Sequence, residues 1–541
     1  MLKDLINAVC LVIICAGQVG SEPAPTLTFI DHFNLRKMNR WNEEQLAAQV
    51  AEIKNNLDKA KEYGVGEYIL FSRSFEALIN YDFTAPELGD LTGRVYPNDS
   101  EHRRLLPVYA KCVSEVIDYA DQLGIKVIFH TNQFDFPRSL YDLAGQKISG
   151  SADVCPGKPL AFDLLKLKIR EFFTRFPKCA GLQLTLSETQ AKVTQCNCPA
   201  CKELDDTERF LRVAQAAVDA CVPLGKTVIL RTWGQFEKPE IVKKLPPKVV
   251  CSTKFTLPDF HLTNYPNPVM ALNAERQEVE FDGWGEYSGY NLFPCYYGDL
   301  YADRIRTCVK SGVPRLGIRL NWDPGIRHIF SIPYGNECNI YVFEKLARNP
   351  ETHPDEFLKQ YVAKVYPASA RDAAFRLYKR STELQRTWLT WCGHNCNDHS
   401  RVYMGGVERV RSQIGSAVPE TYEAACKELD TRRQAIDKAY EEAMALIAAL
   451  GPDVPEQWKK DLERGARTHW FVAQLNCDCI QMFAAFREKE AGRPMPPIDE
   501  LGRAIRNRAN LWKTTDPELY EIMLGEGALK MLEEMTGSSK S

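Results

Sequence analysis

The chain has 541 residues, 45% hydrophobic and 26% charged, with a formal net charge of -3. That length holds more than one structural unit, and the ordinary composition marks a globular protein rather than a disordered or fibrous one. The near-neutral balance gives no bulk attraction for nucleic acid or for an anionic membrane.

The first segment reads as an export signal over residues 1–21. Lys3 supplies a positive charge, Leu5 to Ala16 is apolar, and Gly17, Gly20 and Ser21 offer small residues for cleavage. The apolar run is too short for a membrane span, so the expectation is a secreted or periplasmic protein. Of the 18 cysteines, Cys10 and Cys15 fall in this segment. The others are expected to pair as disulfides in an oxidising compartment.

From Thr26 onward, short β-rich runs alternate with helical patterns. The predicted strands are Leu27–Phe33, Glu67–Ser72, Lys126–Thr131, Leu182–Ser187, Thr227–Trp233, Val249–Phe255, Val279–Gly283 and Arg315–Leu320. They are mostly apolar throughout, as parallel strands buried on both faces should be. Helical spacing follows most of them: Leu46, Val50, Ile53 and Leu57 after the first, then Val108, Cys112 and Val116, then Leu165, Ile169 and Phe172, then Phe210, Val213 and Ala217. Gly64, Gly124, Gly225 and Gly312 stand where four of these helices should stop. A short helix is expected near Lys238–Lys244 and a weaker one between the sixth and seventh strands. Tyr301, Ile305 and Cys308 follow the seventh strand, and a last helix covers Asn339–Ala347. Eight strands, each leading toward a helix, predict a (β/α)8 TIM barrel over residues 26–348. No glycine-rich phosphate loop follows the first strand, which disfavours a doubly wound sheet. The β pattern then stops. Ile436, Tyr440, Met444 and Ile447 form a helical stripe, and residues 349–541 are expected to be an all-helical C-terminal domain.

A barrel gathers its chemistry at the C-terminal ends of its strands. There the sequence places His130, Glu188, Arg231, Lys254, Asp259, Trp284, Glu286 and Trp322. Glycoside hydrolysis needs a protonated acid at the leaving oxygen and a second carboxylate opposite it. Arg231 and Lys254 are fixed cations suited to a sugar carboxylate. Trp233, Trp284 and Trp322 are candidates for stacking on sugar rings, and His130 for contacting substrate, although a tryptophan or histidine at a strand end also serves simply to pack or to order a loop.

Three stretches resemble glycoside hydrolase family 67, the α-glucuronidases: Leu182–Glu188 (LQLTLSE), Ser252–Phe260 (STKFTLPDF) and Glu280–Gly289 (EFDGWGEYSG). Asn339–Ala347 (NIYVFEKLA) resembles that family's barrel-closing helix. The resemblance implies an inverting hydrolase without a cofactor. It assigns Glu188 as general acid, Asp259 and Glu286 as the carboxylates that position or activate water, and Arg231 and Lys254 as uronate contacts. It also allows a homodimer formed through the helical domain. The chain departs from the pattern at Leu184, where the family has a lysine, and in a cysteine-bearing insertion after the fourth strand. The expected partner is an oligosaccharide or polysaccharide bearing a terminal uronic acid. A different acidic or neutral glycan, or a non-catalytic carbohydrate-binding barrel, are the alternatives.

In that insertion, Cys196, Cys198 and Cys201 have metal-ligand spacing, with Cys179 or Cys221 as a possible fourth ligand. For an exported protein, disulfide pairing is the favoured reading. Cys392, His394, Cys396 and His399 form a second cluster, read as a disulfide-tied loop.

Overall fold

The computed structural model describes residues 24–33, 43–72, 75–132, 134–151, 154–185, 195–232, 237–257, 259–261, 265–270, 272–321, 326–396, 399–402, 406–494, 496 and 498–536. The expected signal segment lies outside them. The architecture is a closed parallel barrel of eight strands: β1 (Thr26–His32), β2 (Glu67–Phe71), β3 (Lys126–Asn132), β4 (Gly181–Thr185), β5 (Thr227–Arg231), β6 (Val249–Lys254), β7 (Gln277–Asp282) and β8 (Arg315–Arg319). Each strand pairs with its sequence neighbours, and β8 closes on β1 with Thr26 opposite Arg315.

Strand alternation divides each strand between two environments. Phe29, Leu70, Phe129, Leu182, Leu184, Leu230, Phe281 and Ile318 join the apolar layer beneath the helices. Ile30, Ile69, Phe71, Ile128 and Ile229 fill the barrel interior as a separate cluster. Every predicted strand is present. β7 begins earlier than expected because its first residues are polar: Gln277 accepts from Thr253 Oγ1 and donates to the Val269 carbonyl, so hydrogen bonds rather than apolar burial fix that end.

The outer helices are α1 (Glu43–Glu62), α2 (Glu101–Gln122), α3 (Pro159–Arg175), α4 (Asp206–Cys221), α5 (Pro239–Lys244), α6 (Gly298–Lys310) and α7 (Glu337–Arg348). Gly64 and Gly124, just past α1 and α2, adopt the left-handed backbone that a helix stop requires. The weak helix expected between β6 and β7 is not formed among the described residues. A two-stranded ribbon (Thr256–Leu257 with Tyr265–Pro266) and a single turn (Ala274–Arg276) replace it.

The C-terminal segment is helical: α8 (Pro354–Val365), α9 (Arg371–Leu389), α10 (Gly406–Ile414), α11 (Tyr422–Ala448), α12 (Glu456–Glu490), α13 (Ile498–Thr515), α14 (Pro517–Ile522) and α15 (Gly527–Thr536). The stripe read from the sequence lies on α11, with Ile436 and Ile447 buried and Tyr440 and Met444 packed against the same core. That core runs without a break from the barrel's outer layer into these helices. No described helix is long and apolar enough to cross a membrane.

Lower in the barrel, Glu278 on β7 is fully buried. Burial, reinforced by Glu67 and Glu280 and opposed by Arg315, pushes its pKa up to about 8. A carboxyl whose folded pKa is raised stabilises the fold below its unfolded value and loses that contribution as pH climbs through the folded one. Wild-type stability is therefore expected to fall by a few kcal/mol between about pH 5 and about pH 9. Glu278→Gln should flatten that dependence in denaturant titrations. An unchanged slope in the variant would remove Glu278 as its source.

Candidate active site

The last inward-facing residues of β5 to β8 are charged, and they meet across the barrel mouth. Arg231, at the end of β5, donates from Nε to Glu280 Oε2 at 2.7 Å and from Nη2 to Oε1 at 3.2 Å. Arg319, at the end of β8, also bonds Glu280, and its Nη1 donates to Glu286 Oε2 at 2.8 Å. Glu280 is thus forked between two guanidinium groups. Burial opposes its charge, but Arg231 and Arg319 prevail and hold its pKa down to about 2. Phe71 lies under Arg231, and Phe260 lies 4.8 Å from both Lys254 and Arg319, which gives the buried cations aromatic faces.

Asp259 follows β6. It accepts from Lys254 Nζ, from the Phe260 backbone N–H at 2.9 Å and from Tyr287 Oη at 2.9 Å. Burial alone would raise its pKa. Lys254, with Arg319 and His261, outweighs that and keeps Asp259 ionised well below the usual carboxylate range.

Glu286 is aimed by the turn after β7. Asp282, the last residue of that strand, accepts from the backbone N–H groups of Trp284, Gly285 and Glu286 at 2.8–3.1 Å. Burial, then repulsion from Glu286, pushes the Asp282 pKa up to about 6. The helical segment completes this corner. His399 Nε2 lies 3.2 Å from Glu286 Oε1, and Ser400 donates from Oγ and from its backbone N–H to the Glu286 carbonyl. Behind the turn α12 comes close: a Cβ on Gly465 would stand 1.9 Å from the Leu292 carbonyl oxygen. Glu286 therefore has Arg319 on one side and His399 on the other.

Glu237, just beyond β5, is a further buried carboxyl at this rim. Its Oε1 accepts from Asn267 Nδ2 at 2.7 Å. Burial and the nearby Asp259 raise its pKa to about 7, against the opposing pull of Lys254 and Arg231.

The structure thus gathers Arg231, Lys254, Asp259 and Glu286 in one constellation. Glu188, Trp233 and Trp322 lie outside the described residues. His130 is fully buried and stacked on Phe71, with its ring nitrogens 2.9 Å from the Ser72 carbonyl and 2.7 Å from Thr185 Oγ1. It holds the ends of β2, β3 and β4 together. Trp284 is also fully buried and donates to the Arg327 carbonyl at 2.8 Å, so its ring packs inside the rim and presents no face to a sugar. Leu184 belongs to the outer apolar layer. A side chain at that position points away from the barrel mouth, so the lysine missing there is not a lost cleft contact.

Glu280, Arg319 and Glu237 are not among the candidates the sequence offers, and Tyr287 stands there only as the neighbour of Glu286 in the third stretch. Strand alternation offers a signal for two of them: Glu280 shares the inward face of β7 with Asp282, and Arg319 ends β8. The sequence places His399 beside an expected disulfide-tied loop. No disulfide is formed there: Cys392 is exposed and donates to Glu428, while Cys396 is buried. All sixteen cysteines within the described residues are free thiols, which corrects the expectation of pairing.

No protein-family model matches the sequence, and no curated protein matches it. Among solved structures, a GH138 enzyme targeting pectin rhamnogalacturonan II is similar over 91% of this chain and 77% of its own, at 12% identity and a TM-score of 0.60. An O-GlcNAc hydrolase from Thermobaculum terrenum covers 95% of this chain and 94% of its own, at 11% identity and a TM-score of 0.44. The first likeness speaks for the fold: a barrel with helices appended at its C-terminal side.

Proposed function

We propose that this chain is an exported glycoside hydrolase that removes a terminal sugar from an acidic glycan, with Asp259 and Glu286 as its working carboxylates. One observation carries this reading. Two buried carboxylates stand at the C-terminal rim of a (β/α)8 barrel, each held by a cation and by a tyrosine or histidine. The resemblance to α-glucuronidases adds Glu188 as general acid, inversion at the anomeric carbon and a terminal uronic acid as the sugar released, with the rest of the glycan as leaving group. The pectic target named for the structural neighbour is in keeping with an acidic glycan.

The cations bear on the choice of sugar. Arg231 already bonds Glu280, and Lys254 already bonds Asp259. A uronate would have to share these partners rather than meet uncompensated charges. The uronic acid therefore rests on the motif resemblance, whereas hydrolysis rests on the carboxylates.

The test is incubation of the full chain with uronic-acid-capped and neutral oligosaccharides, with product anomers followed by NMR. Release of a uronic acid with inverted configuration supports the whole reading. Release of a neutral sugar keeps the hydrolase and discards the uronate. Silence across a broad panel overturns the enzymatic reading in favour of a binding barrel. The pH profile is a second check. If Glu237 supplies or stores the proton, activity should decline as pH rises through about 7, and Glu237→Gln should abolish that limb. A limb that survives the substitution belongs to another group.

A further inference from the structure

The cysteine insertion lies outside the carboxylate constellation, and it holds the densest cluster of metal-ligating atoms among the described residues. Cys196, Cys198 and Cys201 sit in the connection from β4 to α4, and Cys155 sits in the connection from β3 to α3. Their four sulfurs all lie within 4.8 Å of one another. Neither Cys179 nor Cys221 supplies the fourth: Cys179 is buried against the Val127 and Gly181 carbonyls instead. We propose that Cys155, Cys196, Cys198 and Cys201 form a structural tetrathiolate zinc site that ties two strand-end loops together at the barrel mouth.

The distances favour a metal over disulfides. Cys155 Sγ lies 3.3 Å from Cys198 Sγ and 3.1 Å from Cys201 Sγ. A disulfide brings two sulfurs to about 2.05 Å and leaves a third excluded. Here one sulfur stands almost equally near two others, which no single pairing explains. A tetrahedral zinc with Zn–S bonds of about 2.3 Å spaces its sulfurs by roughly 3.8 Å, and the four sulfurs, all within 4.8 Å of one another, are close enough for one ion to reach them all. A thiolate set without oxygen or imidazole ligands selects zinc or an iron–sulfur centre. Four cysteines that close the coordination shell mark a structural ion rather than a catalytic one.

The backbone around the sulfurs is built to present them. The N–H groups of Cys201 and Lys202 both donate to the Cys198 carbonyl, at 2.9 and 3.0 Å, making a tight turn that carries both sulfurs. Ser151 Oγ accepts from the Asn197 N–H at 2.6 Å and lies 3.7 Å from Cys196 Sγ, linking the two loops beside the cluster. A Cβ on Gly150 would meet Cys196 Sγ at 2.5 Å, and one on Gly157 would meet the Ala200 carbonyl oxygen at 2.5 Å. The loops approach so closely that only glycine fits at either place. Arg209 donates to the Cys201 and Leu204 carbonyls and fixes the start of α4 against the turn. Zinc binding would displace the thiol protons to solvent, with no change of oxidation state.

The test is metal analysis of the full chain purified without added metal, followed by chelation and reconstitution with cobalt. The expected result is one zinc per chain and, after reconstitution, the visible ligand-field bands of tetrahedral cobalt in a four-sulfur shell. Cys155→Ser and Cys198→Ser should each lose the metal, while Cys112→Ser, half-buried on α2 and outside the cluster, should retain it. If the ligand variants fail to fold, the metal content and the cobalt spectrum of the unaltered chain still decide. Peptide mapping that finds these cysteines disulfide-linked, a metal-free chain whose four thiols alkylate freely, or iron in place of zinc would overturn the assignment.

Discussion

Glu286→Gln is expected to lower kcat by about a hundred- to ten-thousand-fold, the range seen when a group that moves a proton in the transition state is removed. The amide keeps the shape of the side chain but can neither carry the charge nor accept the proton. Its fold should survive, because Arg319 keeps Glu280 as a partner and the turn that aims residue 286 is built by Asp282. Asp259→Asn should cost a similar factor in kcat, with a larger loss of stability because the anion beside Lys254 disappears. The two variants therefore separate chemistry from folding: similar activity losses, unequal denaturation midpoints. Activity within a few-fold of wild type in both would remove these carboxylates from the reaction.

The largest stability effect is expected at Glu280. It is fully buried and pairs with both Arg231 and Arg319, the second of which also reaches Glu286. Breaking a buried ionic cluster from one side strands the other charges, which typically costs about 3–5 kcal/mol. Glu280→Gln should show that loss in chemical denaturation. Adding Arg231→Met should recover part of it, because one stranded cation is then gone. A double variant no better than the single one would mean that the fork is not what makes Glu280 important.

Much of the barrel was legible because its strands are nearly continuous apolar runs, and both Gly64 and Gly124 mark helix ends where the sequence suggested. Arg231, Lys254, Asp259 and Glu286 were legible as polar interruptions at strand ends. What escaped were partners distant in the chain. Nothing in the sequence near residue 286 points to His399, and nothing near Cys196 points to Cys155. The first pair is made when the helical segment docks on the turn after β7, and the second by the pairing of β3 with β4, which sets the loops that follow them side by side. Trp284 shows the opposite failure. An aromatic at a strand end reads equally well as a stacking platform or as packing, and only its complete burial decides for packing.

The abutment of α12 on the turn after β7 bears on how the protein is made. A ribosome delivers all eight strands well before it delivers His399, Ser400 or Gly465. A nascent barrel could close, yet its Glu286 corner would lack one whole wall until the last third of the chain emerged. The carboxylate would spend that interval against water, without its histidine. Competence for catalysis should therefore arrive late in synthesis and all at once, and a chain released early should carry a closed barrel with an unfinished site.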